Sequence, residues 1–263
     1  MKPAPFELAR PANLAEATAA LALHSDAARL LAGGQSLGPM LNLRLVRPAM
    51  LVAIAHLPEL RAVAEDADAV TIGAVVTHSA IADGRTPDIG GRILGRIAGG
   101  IAYRAVRNLG TIGGSLCHAD PAADWLCTLT AMGASVLTWR EAGGRAIPLA
   151  QFVIGAFRTA LEPGEIVQAV RVPRPSPQAR WGYYKACRKP GEFAHAMAAV
   201  MDDPARGLRR AVIGAVGGPP VVLEGERVGP AAADDALRDA GLDAVARRMQ
   251  AVALQRALTE AAA

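Results

Sequence analysis

The segments LAGGQSLG at residues 31–38 and RNLGTIGGS at residues 107–115 carry the strongest pattern in this chain. Glycines have no Cβ, so the backbone N–H groups of such segments can approach a phosphate closely, and Ser36, Thr111 and Ser115 add hydroxyl donors. Each segment taken alone is typical of a plain turn between a strand and a helix. Taken together, they predict two turns that bind one pyrophosphate between them.

The standard nucleotide-binding glycine motifs are absent from the sequence. None of the 27 glycines is separated from another by a single residue, so G-x-G-x-x-G cannot occur. No Gly-Lys dipeptide exists, which excludes a P-loop. The chain is therefore neither a standard Rossmann dinucleotide-binding protein nor a Walker-type NTPase.

A polar, proline-broken stretch, CHADPAAD at residues 117–124, follows the second glycine segment directly. It places two carboxylates, Asp120 and Asp124, inside an otherwise apolar region. Two interpretations of Asp124 stay open. Its carboxylate accepts hydrogen bonds from a ribose diol, or it caps the apolar helix that starts at Trp125.

Composition excludes several classes of function. The net charge of +4 and the pI near 9.3 are mildly basic, and aromatic residues make up only 4%, which argues against a nucleic-acid-binding stripe. Apolar runs such as residues 50–55 are far shorter than the roughly 20 residues that span a bilayer. Residues 1–12 hold three prolines and a glutamate where a secretory signal needs a basic start and an unbroken apolar run. We expect no membrane span and a cytoplasmic location.

The cysteines and histidines give no metal site. The sequence has no C-x-x-C pair, and its three cysteines are Cys117, Cys127 and Cys187. A four-cysteine iron–sulfur cluster or zinc site built from this chain alone is excluded. Cys117 precedes His118, but adjacent residues on a strand point to opposite faces, so we interpret both as ordinary loop or strand residues. His78 and His195 are interpreted as capping or packing residues, and we predict neither a metal nor a catalytic side chain.

Short helices and strands alternate through the first part of the chain, which indicates an α/β or α+β layer structure. Thr77 or Ser79 is expected to cap the helix that follows the third strand. The predicted elements are a helix over residues 13–23 and strands over residues 28–32, 50–55 and 70–74, with Asp26 in the turn before the first strand.

A second part begins near residues 171–180 (RVPRPSPQAR), whose three prolines block both a helix and a central strand and predict a domain boundary. Three strands joined by short turns then predict an antiparallel sheet. Near the end of the chain, Val245, Met249 and Val252 recur at helical spacing, and we expect this stripe to pack a final helix on that sheet. The predicted strands cover residues 183–186, 194–201 and 211–216.

Four stretches together resemble one family, the FAD-binding medium subunit of carbon monoxide dehydrogenase and related molybdenum hydroxylases, which corresponds to the flavin domain of xanthine dehydrogenase. Their order and spacing extend over nearly the whole chain. The stretches are AGGQS at residues 32–36, RNLGTIGGS at 107–115, HADPAAD at 118–124 and KACRKPGEFA at 185–194.

The resemblance implies an α+β fold with two domains. Residues 1–175 would form a two-part α/β FAD-binding domain of the PCMH type, like that of vanillyl-alcohol oxidase, with subdomains of about residues 1–56 and 57–175. Residues 176–263 would form a small C-terminal domain of a three-stranded antiparallel sheet plus helices. The segment after Gly217 and Gly218 is shorter than this family leads us to expect, and a closing helix over residues 243–262 is expected.

The resemblance also implies the FAD contacts. The two glycine turns would hold the pyrophosphate through backbone donors and hydroxyls, and Asp124 would bind the ribose or ribityl side. Leu161 would supply a backbone contact near the adenine or flavin. The full implied set is Ala32, Gly33, Gly34, Gln35, Ser36, Leu37, Thr111, Gly113, Gly114, Ser115, Asp120, Asp124, Leu161, Lys185 and Phe193.

Lys185 and Phe193 would lie near the flavin ring. A cation at Lys185 would stabilise the negative charge that builds at N1 and C2=O on reduction. The alternative for Lys185 is a solvated strand lysine. Phe193 falls where some relatives carry a tyrosine, so a hydroxyl contact present in those relatives is lost here.

The implied function is electron transfer. In such complexes a large subunit oxidises substrate at a molybdenum centre with molybdopterin cytosine dinucleotide, and electrons cross two [2Fe–2S] clusters on a small subunit to the FAD of the medium subunit. That FAD discharges them to an external acceptor. We expect this chain to join both subunits in a dimer of heterotrimers. Two alternatives remain open: a free-standing FAD oxidoreductase of the same fold, and a non-catalytic assembly protein, against which the intact glycines argue.

Overall fold

The computed structural model describes residues 2–24, 27–87 and 89–263, so Asp26 lies outside the described residues. The first part of the chain forms a small parallel sheet with two helices. Its strands are Glu7–Ala9 (β1), Ala28–Leu31 (β2) and Met50–Ala53 (β3), and its helices are Leu14–His24 (α1) and Leu37–Asn42 (α2). The strand order is β1-β3-β2, and both pairings are parallel. Parallel strands need crossover connections, so the first glycine turn lies at the carboxyl end of β2, where the crossover through α2 begins.

The middle of the chain forms a five-stranded antiparallel sheet and a short hairpin. The sheet strands are Val63–Glu65 (β4), Ala69–Gly73 (β5), Ser135–Trp139 (β6), Ala146–Pro148 (β7) and Ile166–Pro173 (β10), and the hairpin strands are Val153–Gly155 (β8) and Arg158–Thr159 (β9). The sheet order is β4-β5-β10-β6-β7. This sheet and the small parallel sheet share one apolar core, which includes Val52, Val70 and Trp125.

The described residues of this middle part form six α-helices. They are His78–Ala82 (α3), Ile93–Gly99 (α4), Arg104–Arg107 (α5), Ile112–His118 (α6), Asp124–Ala131 (α7) and Leu149–Phe152 (α8). Thr77 caps α3 by accepting a hydrogen bond from the Ala80 N–H at 3.2 Å. Cys117 and His118 lie in α6, so the interpretation of these two residues as part of a loop or strand is wrong.

The C-terminal sheet has four strands. They are Arg180–Ala186 (β11), Ala196–Asp203 (β12), Leu208–Gly214 (β13) and Val221–Glu224 (β14), in the order β11-β12-β13-β14 with antiparallel pairing throughout. The prediction of three strands is therefore wrong. The missed strand has four residues and follows a glycine-proline turn, and it is defined only by its pairing with β13, which local pattern does not reveal.

This sheet is buried on both faces. Ala196, Ala198 and Val200 of β12 pack on the side of two C-terminal helices, Pro230–Asp239 (α9) and Ala244–Ala262 (α10). Met197 and Ala199 of the same strand pack with Cys127 of α7 on the other side. Alternate strand residues point to opposite faces, so β11 likewise presents one set of side chains to α7 and the next to α10.

The final helix turns a different face to the sheet from the one the sequence suggested. Val245, Met249 and Val252 are 71%, 45% and 48% exposed, so the expectation that they pack on the sheet is wrong. The buried face consists of Gln250, Ala253, Leu254, Ala257 and Ala261.

This face of α10 is buried because the backbone of the helix packs very closely against the backbone of β11. A Cβ on Gly182 of β11 would lie 1.9 Å from the carbonyl oxygen of Ala257. Larger side chains on that face of the helix would prevent this approach. Gln250 adds hydrogen bonds across the same interface, accepting from Met197 N and donating to Gly214 O at 3.0 Å.

Within the described residues, no helix combines the length and the apolar character needed to cross a bilayer.

Candidate cofactor site

The two glycine turns lie against each other although they are far apart in the chain. A methyl group built on Gly33 would lie 2.0 Å from the carbonyl oxygen of Leu109 and 2.9 Å from the Cα of Gly110. Only a residue without a Cβ allows the two backbones to come this close. One built on Gly114 would lie 3.9 Å from the Ala32 Cβ, so the second turn faces the first there as well.

The first turn offers backbone donors that the protein does not use. In the described part of the chain, the amide N–H groups of Gly34, Gln35 and Ser36 have no acceptor, and the Ser36 hydroxyl makes no capping bond to α2, which begins at Leu37. The Gln35 side chain braces the turn by donating to the Gly33 carbonyl oxygen at 3.1 Å. Three amides and one hydroxyl are therefore available to an anion.

The second turn, by contrast, uses its amides inside the protein. Thr111 caps α6 through its hydroxyl, and the Ser115 hydroxyl has no partner among the described residues. The amide donors and their acceptors are Ile112 to Val76 O at 3.1 Å, Gly113 to Ala74 O at 2.9 Å, Gly114 to Thr111 Oγ1 at 3.1 Å and Ser115 to Thr111 O at 3.0 Å. The second turn therefore offers a hydroxyl and fixes the place of the first turn.

His78 supports the second turn from behind. It is 5% exposed, its backbone N–H donates to the Gly110 carbonyl oxygen at 2.9 Å, and its ring Nδ1 accepts from Trp125 Nε1 at 3.1 Å. Burial lowers the pKa of His78 to about 4, and the charge of Arg107 acts in the same direction. The second turn therefore rests on a neutral imidazole, which fits the expectation that His78 is a packing residue.

This arrangement makes the folded chain sensitive to acid. The unfolded state binds a proton at His78 near pH 6.5 and the folded state only near pH 4, so stability is full above pH 6.5 and falls as the pH drops towards 4. The expected loss from this one group is about 3 kcal/mol.

Denaturant unfolding at several pH values between 7 and 4 measures that loss, with His78→Asn as the matched variant. Asn keeps an acceptor for the Trp125 N–H and does not titrate. The difference in unfolding free energy between wild type and H78N should therefore change by about 3 kcal/mol across the range. Parallel curves for the two proteins would rule out this role for His78.

Asp124 joins the C-terminal sheet to the middle of the chain. Its carboxylate accepts from Lys185 Nζ at 2.9 and 3.0 Å and from the Tyr183 hydroxyl at 2.8 Å. The side chains of Lys185 and Asp124 are 11% and 6% exposed, so the alternative of a solvated lysine is wrong. Burial, together with the Asp124 carboxylate, raises the pKa of Tyr183, which keeps its hydroxyl protonated and donating.

The structure decides against the capping role considered for Asp124. The cap of α7 is Ala123 and makes no side-chain hydrogen bond, and Asp124 is the first residue of the helix. A carboxylate has about four acceptor positions, and three are already taken by Tyr183 and Lys185. Among the described residues, one acceptor position of the Asp124 carboxylate is therefore unused.

The other predicted contact residues occupy different places. Asp120 forms a turn after α6 by accepting from the Ala122 N–H at 2.9 Å. Phe193 is 60% exposed on the turn between β11 and β12, and that turn docks on Ala102 through a backbone bond from Ala102 N to Gly191 O at 3.0 Å. Leu161 is half-buried against the large apolar core.

The geometry fits an anionic nucleotide better than a metal. Within the described residues, no group of three or more His, Cys, Asp or Glu side chains is placed to hold a metal ion. The free amides of the first turn and the close-packed glycines instead suit an anion such as a diphosphate.

Comparison with known proteins gives the family. A family model described as the FAD binding domain in molybdopterin dehydrogenase matches residues 4–175. The chain belongs to this family. The resemblance drawn from the four sequence motifs is therefore confirmed, and the chain is an oxidoreductase subunit with an FAD-binding domain.

Similar proteins with known roles are subunits of dehydrogenases. The chain is 36% identical over 202 residues to the caffeine dehydrogenase subunit beta of Pseudomonas sp. (strain CBB1), a match that spans 76% of this chain and 68% of that protein. It is 37% identical over 206 residues to the carbon monoxide dehydrogenase medium chain of Hydrogenophaga pseudoflava, spanning 76% and 70%.

Solved structures agree in fold over the whole chain. A carbon monoxide dehydrogenase from Hydrogenophaga pseudoflava that lacks the Mo-pyranopterin moiety superposes with a TM-score of 0.87 at 31% identity, covering 99% of this chain and 98% of that one. Quinoline 2-oxidoreductase from Pseudomonas putida 86 superposes with a TM-score of 0.84 at 30% identity, covering 100% and 98%. The predicted α+β class is confirmed, with the four-stranded sheet as the correction.

Sequence reasoning missed Tyr183 as a residue of the site, and it gave His78 only a capping or packing role. For Tyr183 a signal existed, because residues two apart on a strand share a face and Tyr183 stands two before Lys185.

Proposed function

We propose that this chain binds FAD and acts as the electron-transfer subunit of a heterotrimeric molybdenum hydroxylase. The observation that carries this proposal is the contact between the two glycine turns, in which Gly33 packs on the Leu109 carbonyl while the amides of Gly34, Gln35 and Ser36 stay free. Such a set of oriented amides suits a diphosphate. We further propose that the complex works in the cytoplasm.

Each predicted contact residue has a place in this proposal. Residues 32–37 donate amides and the Ser36 hydroxyl to the pyrophosphate, while residues 111–115 add the Ser115 hydroxyl and hold the first turn in position. Asp120 and Asp124 lie on the ribose or ribityl side, and Asp124 uses its one remaining acceptor position there. Leu161 contributes a backbone contact, and Phe193 lies at the flavin ring without a hydroxyl.

Lys185 acts at the flavin ring in this proposal. Bound FAD would supply the redox chemistry, taking electrons from [2Fe–2S] clusters of a small partner subunit and passing them to an external acceptor. The ammonium of Lys185 stabilises negative charge on the reduced ring. Its buried pairing with Asp124 keeps it from moving into solvent.

The exposed face of α10 supports the presence of partner subunits. Val245, Met249 and Val252 form an apolar stripe on the surface, and Arg248 lies beside it. Contiguous apolar surface rimmed by charge is typical of protein interfaces. We propose that a large subunit with molybdopterin cytosine dinucleotide and a small iron–sulfur subunit complete the complex, arranged as a dimer of heterotrimers.

Two measurements test the proposal. The purified chain, or the chain freed from co-expressed partners, should show a flavin absorbance spectrum with about one FAD per chain. A colourless protein that ignores added FAD would favour the non-catalytic assembly protein. A yellow protein that turns over a small substrate without partner subunits would favour the free-standing oxidoreductase.

A further inference from the structure

A hydrogen-bonded cluster joins β11 to α7. It consists of Tyr183, Asp124 and Lys185. Tyr183 and Lys185 share the face of β11 that points towards α7, and both reach the Asp124 carboxylate, at 2.8 Å for the hydroxyl and 2.9 Å for the ammonium. Tyr184, between them, packs on the opposite face with the core under α10. The alternation of the strand therefore separates two neighbouring tyrosines into two environments.

The tyrosine hydroxyl changes how the ion pair acts on its surroundings. A buried carboxylate attracts an ammonium strongly because little water screens the two charges. The hydrogen bond from Tyr183 takes up part of the carboxylate charge, so Asp124 cancels less of the positive charge of Lys185. The same three-way contact holds the ammonium of a long, flexible side chain at one place.

We propose that Tyr183 is a positioning residue that acts through Asp124 to fix the Lys185 ammonium and to set how strongly its charge favours reduced flavin. This inference rests on the proposed function, since it requires FAD to bind beside Lys185. Because Asp124 belongs to α7 and the other two residues to β11, the charge at the flavin ring then depends on docking of the C-terminal sheet.

The test measures the dissociation constants of oxidised and reduced FAD for the wild type and for Tyr183→Phe. Removing the hydroxyl should lower the preference for reduced FAD by about three- to tenfold, because Asp124 then cancels more of the Lys185 charge. A tenfold change corresponds to about 30 mV in the two-electron midpoint potential. A residue with a purely structural role would weaken both oxidation states alike.

Tyr184→Phe is the matched control. It makes the same chemical change one residue along β11, on the face that packs under α10, and should leave the preference for reduced FAD unchanged. An equal shift in Y183F and Y184F would overturn the proposal.

A second comparison tests whether Tyr183 acts through the ion pair. In a chain carrying Asp124→Asn and Lys185→Met, adding Y183F should have no further effect on the preference for reduced FAD. If Y183F shifts the preference as much in that background as in the wild type, Tyr183 acts by another route and the proposal fails.

A third variant tests the proposal in case the Y183F protein does not fold. Placing 3-fluorotyrosine at position 183 keeps the shape of the ring and makes the hydroxyl a stronger donor, so the preference for reduced FAD should rise instead of fall. No change would contradict the proposal. A wild-type chain that binds no FAD at all would instead refute the proposed function, so the two failures are distinguishable.

Discussion

A Gly33→Ala chain is expected to fold and yet to bind FAD about 100-fold more weakly than the wild type. The added methyl group would lie 2.0 Å from the Leu109 carbonyl oxygen and 2.7 Å from its carbon, both backbone atoms that cannot rotate away. The first turn must therefore shift, and its free amides lose their alignment with the second turn. Losing two charge-assisted hydrogen bonds of about 1.5 kcal/mol each corresponds to about 100-fold in affinity.

Gly38→Ala is the matched control for this experiment. It lies in the same segment, a methyl group there meets nothing within 4 Å, and as a helical position it tolerates alanine well. FAD fluorescence titration of the two variants, with circular dichroism to check folding, measures the difference. G33A that binds FAD as tightly as G38A would refute the role of the paired turns. Gly114 should be more tolerant, because a methyl group there meets the rotatable Thr111 hydroxyl at 2.7 Å.

Lys185→Met is expected to destabilise the chain by about 3 kcal/mol or more, even without FAD. Among the described residues, the change leaves the Asp124 carboxylate, 6% exposed, with the Tyr183 hydroxyl as its one remaining partner. Removing one member of a buried ion pair costs this much because the remaining charge stays away from water. Denaturant unfolding of the flavin-free protein measures the change in unfolding free energy.

Two comparisons make this prediction specific. Adding Asp124→Asn to K185M should restore most of the lost stability, since no buried charge then remains. Glu162→Gln, which breaks exposed pairs with Arg140 at 2.9 Å and with Arg145 at 3.4 Å, should cost less than about 1 kcal/mol. If K185M costs no more than E162Q, the pair is not buried in solution as the structure has it.

The patterns that succeeded in the sequence are those set by local backbone requirements. The first glycine turn and the strand β2 before it follow from the conformations that glycine allows. The prediction that the prolines of residues 171–180 block a central strand is wrong at the start of that stretch, because β10 extends to Pro173 between β5 and β6. The strand VVLE at residues 221–224 was missed because four residues after a glycine-proline turn carry too little pattern, and only pairing with β13 defines them.

The sequence alone determined that two glycine segments belong to one FAD-binding family, since glycine is required wherever a backbone must come close to another group. Only the tertiary structure decided which faces and partners meet. Helical spacing marked Val245, Met249 and Val252 as one stripe, but the small residues on the other face let α10 approach Gly182 of β11 more closely. Likewise Asp124 gained Lys185 as its partner only because the C-terminal sheet docks on α7, a contact between distant segments.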